Sequence, residues 1–543
     1  MTGPRDADRR QTTSLLIAGL SAASYLWISP LGSSLWLDEA VSYWVVKDGL
    51  PEAVDRGLRY QWSPAYDVIL WLAVGLGGAR EIALRLPSLV GAAGATLLLY
   101  RLGLRLLDRE TGLLAATAFA CLIGIGGVPA NARPYAIALM LAVGSTLALV
   151  RWLDRASARS AGAYVVLAAL TVYAHYLFAI MLAVHVFHAV VRRRLHGAPS
   201  AARLGLVLGA LGALLLPLGP RFLSLVRRRE TLSWANDPSL AGVLAVLALP
   251  LGLTGVLAWR GSRGRGASVD RASCLLAVVW SILPPLTAAL VSWLTSARLF
   301  YPRYYLAWTP GLALLSGLAI RTLPGARSRS LIALGLVVLS IAVSPPYRRS
   351  RQDWRAATQA VRSVTESADT PILVGAGLVE SAQIDWLADP ERSSYLLAPL
   401  SFYPVLGRPI PLPYDLDVGV PGYLEDLAAV LVARERRFIL VSNDDRVRQV
   451  PYRGWFESRL GADFDSRSLG PFGAISVVVF ERRRASPRPT RRGSSLRERQ
   501  WPEPAVERSS RPPTRRAAWL RAPSSRSARP PARPARAGVE RAW

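Results

Sequence analysis

Two cysteines among 543 residues leave no disulfide framework, and Cys121 and Cys274 both fall inside apolar runs without metal-ligand spacing. Lys47 is the only lysine; the basic excess is arginine, which reads as coding bias and carries no function. There is no internal repeat, and no inverted pair of interrupted apolar segments of the kind transporters often show. Gly375 and Gly377 stand without the rest of a dinucleotide fingerprint, so no nucleotide is assigned to them. The first apolar run, Thr12 to Pro30, follows Arg5, Arg9 and Arg10 but lacks a small-residue cleavage site. It is expected to be a retained helix rather than a signal peptide.

What the chain has in quantity is apolar sequence. Hydrophobic residues make up 51% of it and the mean hydropathy is +0.26, values unlike those of an ordinary soluble protein. Runs long enough to span a bilayer are expected at about 12–30, 84–107, 111–129, 132–150, 160–174, 176–191, 203–219, 238–259, 272–294, 303–321 and 327–344. The segment 64–77 is apolar but short and reads as re-entrant or interfacial. The fold class is thus mainly α: a polytopic bundle of about eleven spans over residues 1–346.

Beyond Pro345 the pattern changes. DWRAATQAVRSV reads as an amphipathic helix, followed by the strand-like runs ILVGA, RFILVS and AISVVVF. A C-terminal extracytoplasmic α/β domain is expected over 347–481. Residues 482–543 form an Arg/Pro/Ser-rich tail that cannot bury a core and should be disordered. From Glu481 onward there are 18 Arg against five Glu, out of a formal net charge of +28. In a membrane protein such a tail suits anionic lipid better than nucleic acid, and an inert tail is the simplest reading; no nucleic-acid partner is expected.

Arginine also sorts the loops. Residues 1–10, Arg101–Arg109, Arg151–Arg159, Arg192–Arg203, Arg260–Arg271 and Arg321–Arg329 fall on one side, which the positive-inside rule makes cytoplasmic. The loop Arg221–Asp237, with Arg227, Arg228 and Arg229, runs against this pattern. The other face collects Asp38 and Glu39, Gln61–Tyr66 (QWSPAY), Arg85, Asn131–Tyr135 (NARPY), Ala174–Phe178 (AHYLF) and Phe300–Tyr305 (FYPRYY). A one-sided gathering of carboxylates, arginines, a histidine and tyrosines suits an active site at the membrane surface. Each has a plainer reading: Asp38 and Glu39 could open a helix, terminal arginines snorkel, and buried histidines are usually structural.

The order of these motifs resembles the GT-C superfamily of polytopic glycosyltransferases, most closely the bacterial family 39 type related to protein O-mannosyltransferases and to the lipid A aminoarabinose transferase. LWLDEA, SPAY, EIALRLPS, ARPYAIAL, HYLF, YPRYYLAWTP and DWRAA carry it, over about residues 12–360. Gln61 to Tyr66 stands where relatives commonly show a His-Pro-Pro-like stretch, so no histidine role attaches to that loop. The resemblance implies transfer of a sugar, with inversion, from a polyprenyl-phosphate donor to an acceptor hydroxyl of protein, lipid or polysaccharide at the outer face of the plasma membrane. Asp38 would be the general base, with Glu39 as orienting group or substitute. Arg133 and Arg303, then His175 and Arg85, would bind donor phosphate. Tyr66, Gln61, Tyr135, Tyr176 and Tyr304 would line the substrate path. No cofactor is expected; Asp38 and Glu39 could hold Mg²⁺ or Mn²⁺, but no third carboxylate stands at compatible spacing. Two rivals remain at this stage, a flippase of polyprenyl-linked sugar and a non-catalytic surface scaffold. Both predict that Asp38→Asn is tolerated.

Overall fold

The computed structural model describes residues 4–61, 63–197, 199–220, 222–223, 237–263, 270–344, 351–414, 420–444 and 451–483. The arginine triplet 227–229 and the tail from 484 onward lie outside the described residues. Residues up to Arg484 form one compact unit.

Each expected span coincides with a helix. In chain order these are Pro4–Ala23, continued by a π-turn Ser24–Ile28, then Glu81–Leu106, Arg109–Ile125, Tyr135–Arg155, Ala158–Ala174, Ile180–His196, Ala201–Leu215, Leu240–Ser262, Arg271–Leu294, Thr309–Arg321 and Ala326–Val343. Among the described residues seven helices are long and apolar enough to cross a membrane, and shorter apolar helices include Pro64–Gly77 and Ala158–Ala174. Tyr135–Arg155 is enclosed on almost every side, whereas Leu206, Leu216 and Leu294 present bare apolar side chains outward. An all-round hydrophobic helix is what a membrane bundle requires. Small residues bring helices together: a Cβ on Gly103 would lie 2.6 Å from the Gly112 Cα, so the two backbones approach as only glycine permits.

One end of the bundle is stapled by half-exposed ion pairs. Arg105 and Arg192 share Asp154, and Arg321 and Arg329 share Glu110. The opposite end carries the α/β region. There Trp354–Val364 starts behind an Asp353 N-cap, whose Oδ1 accepts from Ala356 N at 3.1 Å.

Among the described residues the sheet has five strands: β1 (Pro371–Gly375), β2 (Arg408–Pro411), β3 (Arg437–Asn443), β4 (Phe464–Phe472) and β5 (Ile475–Arg482). Their order is β2-β1-β3-β5-β4, with β1 parallel to β2 and β3, and β5 antiparallel to β3 and β4. The three apolar runs of the sequence are the three central strands. β2 and β4 are additions to that expectation, and both are edges. An edge strand has one unpaired side and is commonly polar or proline-bearing; RPIP and FDSRSLGPF carry no apolar run to read.

Side-chain alternation gives the sheet two buried faces. Leu373, Phe438, Leu440 and Phe480 pack with Leu424, Leu431 and Phe456. Ile372, Val374, Ile439, Val441, Val477 and Val479 pack with Trp354 and Val361 in a core continuous with Leu35, Trp44 and Tyr135 of the bundle. The α/β region is therefore seated on the membrane helices through shared apolar packing.

Candidate active site

Asp38 sits in the first turn of a short helix, Leu37–Val46, entered from extended backbone at Trp36. Its half-buried carboxylate meets Arg303, with Nη1 donating to Oδ2 at 2.8 Å. The guanidinium lies between the rings of Trp36, Tyr301 and Tyr304, 5.2–5.7 Å from their centroids, within range for cation–π attraction. Arg133 approaches from another helix start. Its Nη1 donates to the Asp38 carbonyl at 3.2 Å and to Ser42 Oγ at 3.3 Å, and its buried Nε has no hydrogen-bond partner among the described residues. Two cations from separate spans thus converge on one carboxylate-bearing turn.

Glu39 is placed differently from its neighbour. It is fully buried, and four donors occupy its oxygens: Arg85 Nε at 2.8 Å and Ala132 N at 2.7 Å on Oε1, Arg85 Nη2 at 2.6 Å and Trp36 N at 3.2 Å on Oε2. The bond from Trp36 N is the returning half of a capping box. Arg85 spends its remaining donors on the carbonyls of Pro30, Leu31, Ser33 and Ser34. The pair ties the loop before Asp38 to the Glu81–Leu106 helix. Burying both charges is expensive unless every lone pair and proton is matched, and here they are.

His175 ends the Ala158–Ala174 helix. Its Nδ1 accepts from Leu177 N at 3.3 Å, so the neutral ring carries its proton on Nε2. The ring lies 5.0 Å from Tyr135 and 5.3 Å from Tyr176, centroid to centroid. Tyr66 is fully buried, its hydroxyl without a hydrogen-bond partner among the described residues. Tyr304 flanks Arg303. The structure therefore brings Asp38, Glu39, Arg85, Arg133, Arg303, His175, Tyr66, Tyr135, Tyr176 and Tyr304 to one end of the bundle. The Gln61 side chain lies outside the described residues.

Sequence reasoning missed four members of this neighbourhood. Asp67, next to Tyr66, is fully buried; Ser63 Oγ donates to its Oδ2 at 3.4 Å, and Oδ1 has no hydrogen-bond partner among the described residues. The signal was present, since a carboxylate within an apolar helix marks a candidate site. Gln352, Arg355 and Tyr403 come from the α/β region. Gln352 Oε1 accepts from Leu37 N at 2.9 Å, and Arg355 Nη2 donates to Glu81 Oε1 at 2.6 Å and to the Gly32 carbonyl at 2.9 Å. The Tyr403 hydroxyl accepts from Leu35 N at 2.9 Å and donates to Glu81 Oε1 at 3.0 Å. Burial pushes the Tyr403 phenol up to about 12, so it stays protonated and able to donate. No group of three or more His, Cys, Asp or Glu poised for a metal occurs among the described residues.

Residues 61–217 match the family model of dolichyl-phosphate-mannose-protein mannosyltransferase. No curated protein sequence matches the chain. In architecture it is similar to ArnT of Cupriavidus metallidurans bound to undecaprenyl phosphate, at TM-score 0.52 and 11% identity over 86% of this chain and 98% of that one. The same protein in the apo state gives TM-score 0.52 and 12% identity, over 86% and 97%. The oligosaccharyltransferase of Archaeoglobus fulgidus, crystallised with Zn and sulfate, aligns at TM-score 0.48 and 12% identity, over 86% and 73%. The multi-pass helical bundle with its small terminal sheet shares the GT-C fold of these membrane proteins, and the match to the mannosyltransferase family model falls inside that bundle.

Proposed function

We propose that the chain transfers a sugar from a polyprenyl-phosphate carrier to an acceptor hydroxyl at the outer face of the plasma membrane. The observation that carries this reading is the Asp38–Arg303 pair, in which a carboxylate and a guanidinium stand 2.8 Å apart at the end of the bundle that carries the α/β region. Asp38 takes the acceptor proton as the acceptor oxygen bonds to the anomeric carbon. The bond from that carbon to the phosphate oxygen breaks, its electron pair leaving with the phosphate, and configuration inverts. A phosphate leaving group needs charge stabilisation more than protonation, and fixed donors supply it without reorganisation.

Arg303 and Arg133 provide that field. A guanidinium carries five N–H donors, so one contact to Asp38 is compatible with holding phosphate oxygens as well. Glu39 and Arg85, matched to each other and to the backbone, hold the loop in place. The undecaprenyl phosphate bound to the Cupriavidus enzyme supports a lipid-phosphate donor. The arginine-rich loops at the other end support an outward-facing site.

Purified full-length protein in nanodiscs, supplied with labelled polyprenyl-phosphate sugars and native membranes as acceptor, tests this. Label should pass to an acceptor with wild type and fail with Asp38→Asn. Equal transfer by the variant removes Asp38 as base. Absence of transfer from every donor removes the transferase reading.

A further inference from the structure

Three consecutive backbone N–H groups lead into Asp38, and each is claimed by a side chain. Leu35 N donates to Tyr403 Oη at 2.9 Å, Trp36 N to Glu39 Oε2 at 3.2 Å, and Leu37 N to Gln352 Oε1 at 2.9 Å. The first N–H groups of a helix have no partner within it and must find one elsewhere. Two of these three acceptors belong to the C-terminal α/β region, 368 and 315 positions along the chain. Gln352 is only 4% exposed, so the bond is shielded from bulk solvent. The preceding loop is anchored likewise: Arg355 N donates to Ser34 Oγ at 3.1 Å, and Arg355 Nη2 to the Gly32 carbonyl at 2.9 Å.

The same region grips the far end of the helix. Trp44 Nε1 donates to Ser394 Oγ at 2.9 Å. Tyr43 meets Phe402 edge-on at 4.9 Å and Trp44 meets Tyr395 at 5.3 Å, centroid to centroid. The short helix Leu37–Val46 is thus held along its length by residues after position 350. Arg303, by contrast, comes from the bundle. The spacing between Asp38 and Arg303 therefore depends on how the α/β region is seated.

We infer that Gln352 is a positioning residue for Asp38, and that through it the α/β region sets the geometry of the catalytic turn. The inference rests on the reading of Asp38 as base. A general base must lie within hydrogen-bond reach of the proton it takes, and a misplacement of about 1 Å can lower the rate about 10²-fold. A helix start whose first N–H loses its acceptor is freed to shift on that scale. Gln352 Oε1 acts on the Leu37 backbone N–H, so its loss bears first on the placement of the turn.

The test combines kinetics with hydrogen exchange on the full chain in nanodiscs. Gln352→Ala should lower kcat about tenfold, the scale of one lost buried hydrogen bond, while the donor KM stays unchanged. Deuterium uptake should rise at residues 31–46 and remain at wild-type levels in strands β1 and β3. Gln352→Glu keeps an acceptor oxygen and should restore protection of 31–46. Its added charge, one residue from Asp38, should move the acidic limb of the pH–rate profile to higher pH, since a like charge favours protonation. Unchanged exchange at 31–46 in Gln352→Ala overturns the inference. So does a uniform rise that includes β1 and β3, which marks general loosening. If wild type transfers no sugar, the transferase reading fails, and the exchange comparison still decides whether Gln352 holds the turn.

Discussion

The guanidinium of Arg303 lies 2.8 Å from the Asp38 carboxylate, although 265 positions of chain separate them. This contact joins the first loop to the YPRYY turn and compensates a charge that would otherwise face an apolar bundle. Asp38→Asn should leave the fold intact, since the amide retains shape and an acceptor oxygen. Loss of a positioned base typically lowers turnover by about 10²–10⁴-fold, to be read in single-turnover assays with labelled donor.

Arg303→Lys is not a conservative change in this setting. Lysine keeps the charge but loses the planar fork and its stacking among Trp36, Tyr301 and Tyr304. The expected result is a donor KM raised roughly ten- to hundredfold, as one charge-assisted bond is worth about 1.5–3 kcal/mol. Steady-state kinetics against donor concentration measure it. Equal KM in Arg303→Lys and wild type would remove the fork geometry from donor binding.

The Glu39–Arg85 pair predicts a stability effect and not a kinetic one. Both groups are buried, and all four contacts to Glu39 run to fixed donors. Removing one partner leaves an uncompensated buried charge, which costs about 3–5 kcal/mol. Arg85→Met should therefore lower the thermal midpoint of the detergent-solubilised protein sharply, and more than Asp38→Asn does.

Much of this was legible in the sequence, for definite physical reasons. Apolar runs of bilayer length have few folded outcomes, so the helices fell where hydropathy placed them. Asp38, Arg133 and Arg303 stood out because charge beside an apolar run needs an explanation. Gln352 was invisible: an amide beside DWR carries no periodic signal, and its partner, the Leu37 N–H, lies 315 positions away. Tyr403 was hidden in the same way, by a backbone partner at Leu35. Strands β2 and β4 escaped because edges need no apolar run. Asp67 escaped although the rule applied to Asp38 covers it equally. The division of labour between Asp38 and Glu39 required coordinates, since adjacent carboxylates in one turn look alike until their partners are known.

Tyr403 links pH to stability. Its phenol is raised from the model-peptide value of 10.0 to about 12, first by burial. A folded-state value above the unfolded one means the protonated phenol is favoured by folding. That contribution is fully present below pH 10 and is lost as pH climbs through 12. The stability difference between wild type and Tyr403→Phe should therefore be constant up to about pH 10 and shrink above it. Thermal denaturation of the two proteins across pH 8 to 12 checks the sign, and a difference that grows with pH would contradict it.

Asp67 predicts a gain of stability on substitution. It is fully buried, its Oδ1 has no hydrogen-bond partner among the described residues, and Ser63 Oγ at 3.4 Å is a weak partner for Oδ2. A carboxylate so placed is costly to bury, and the packing leaves it little freedom: a Cβ on Gly57 would fall 2.3 Å from Oδ2. Arg133 is the positive charge acting on it. Asp67→Asn replaces a buried ionisable carboxyl at constant volume and should stabilise the protein by about 1–3 kcal/mol, read as a raised thermal midpoint. A destabilised Asp67→Asn would show that Asp67 is a structural anchor, its burial offset by contacts to the packed helices.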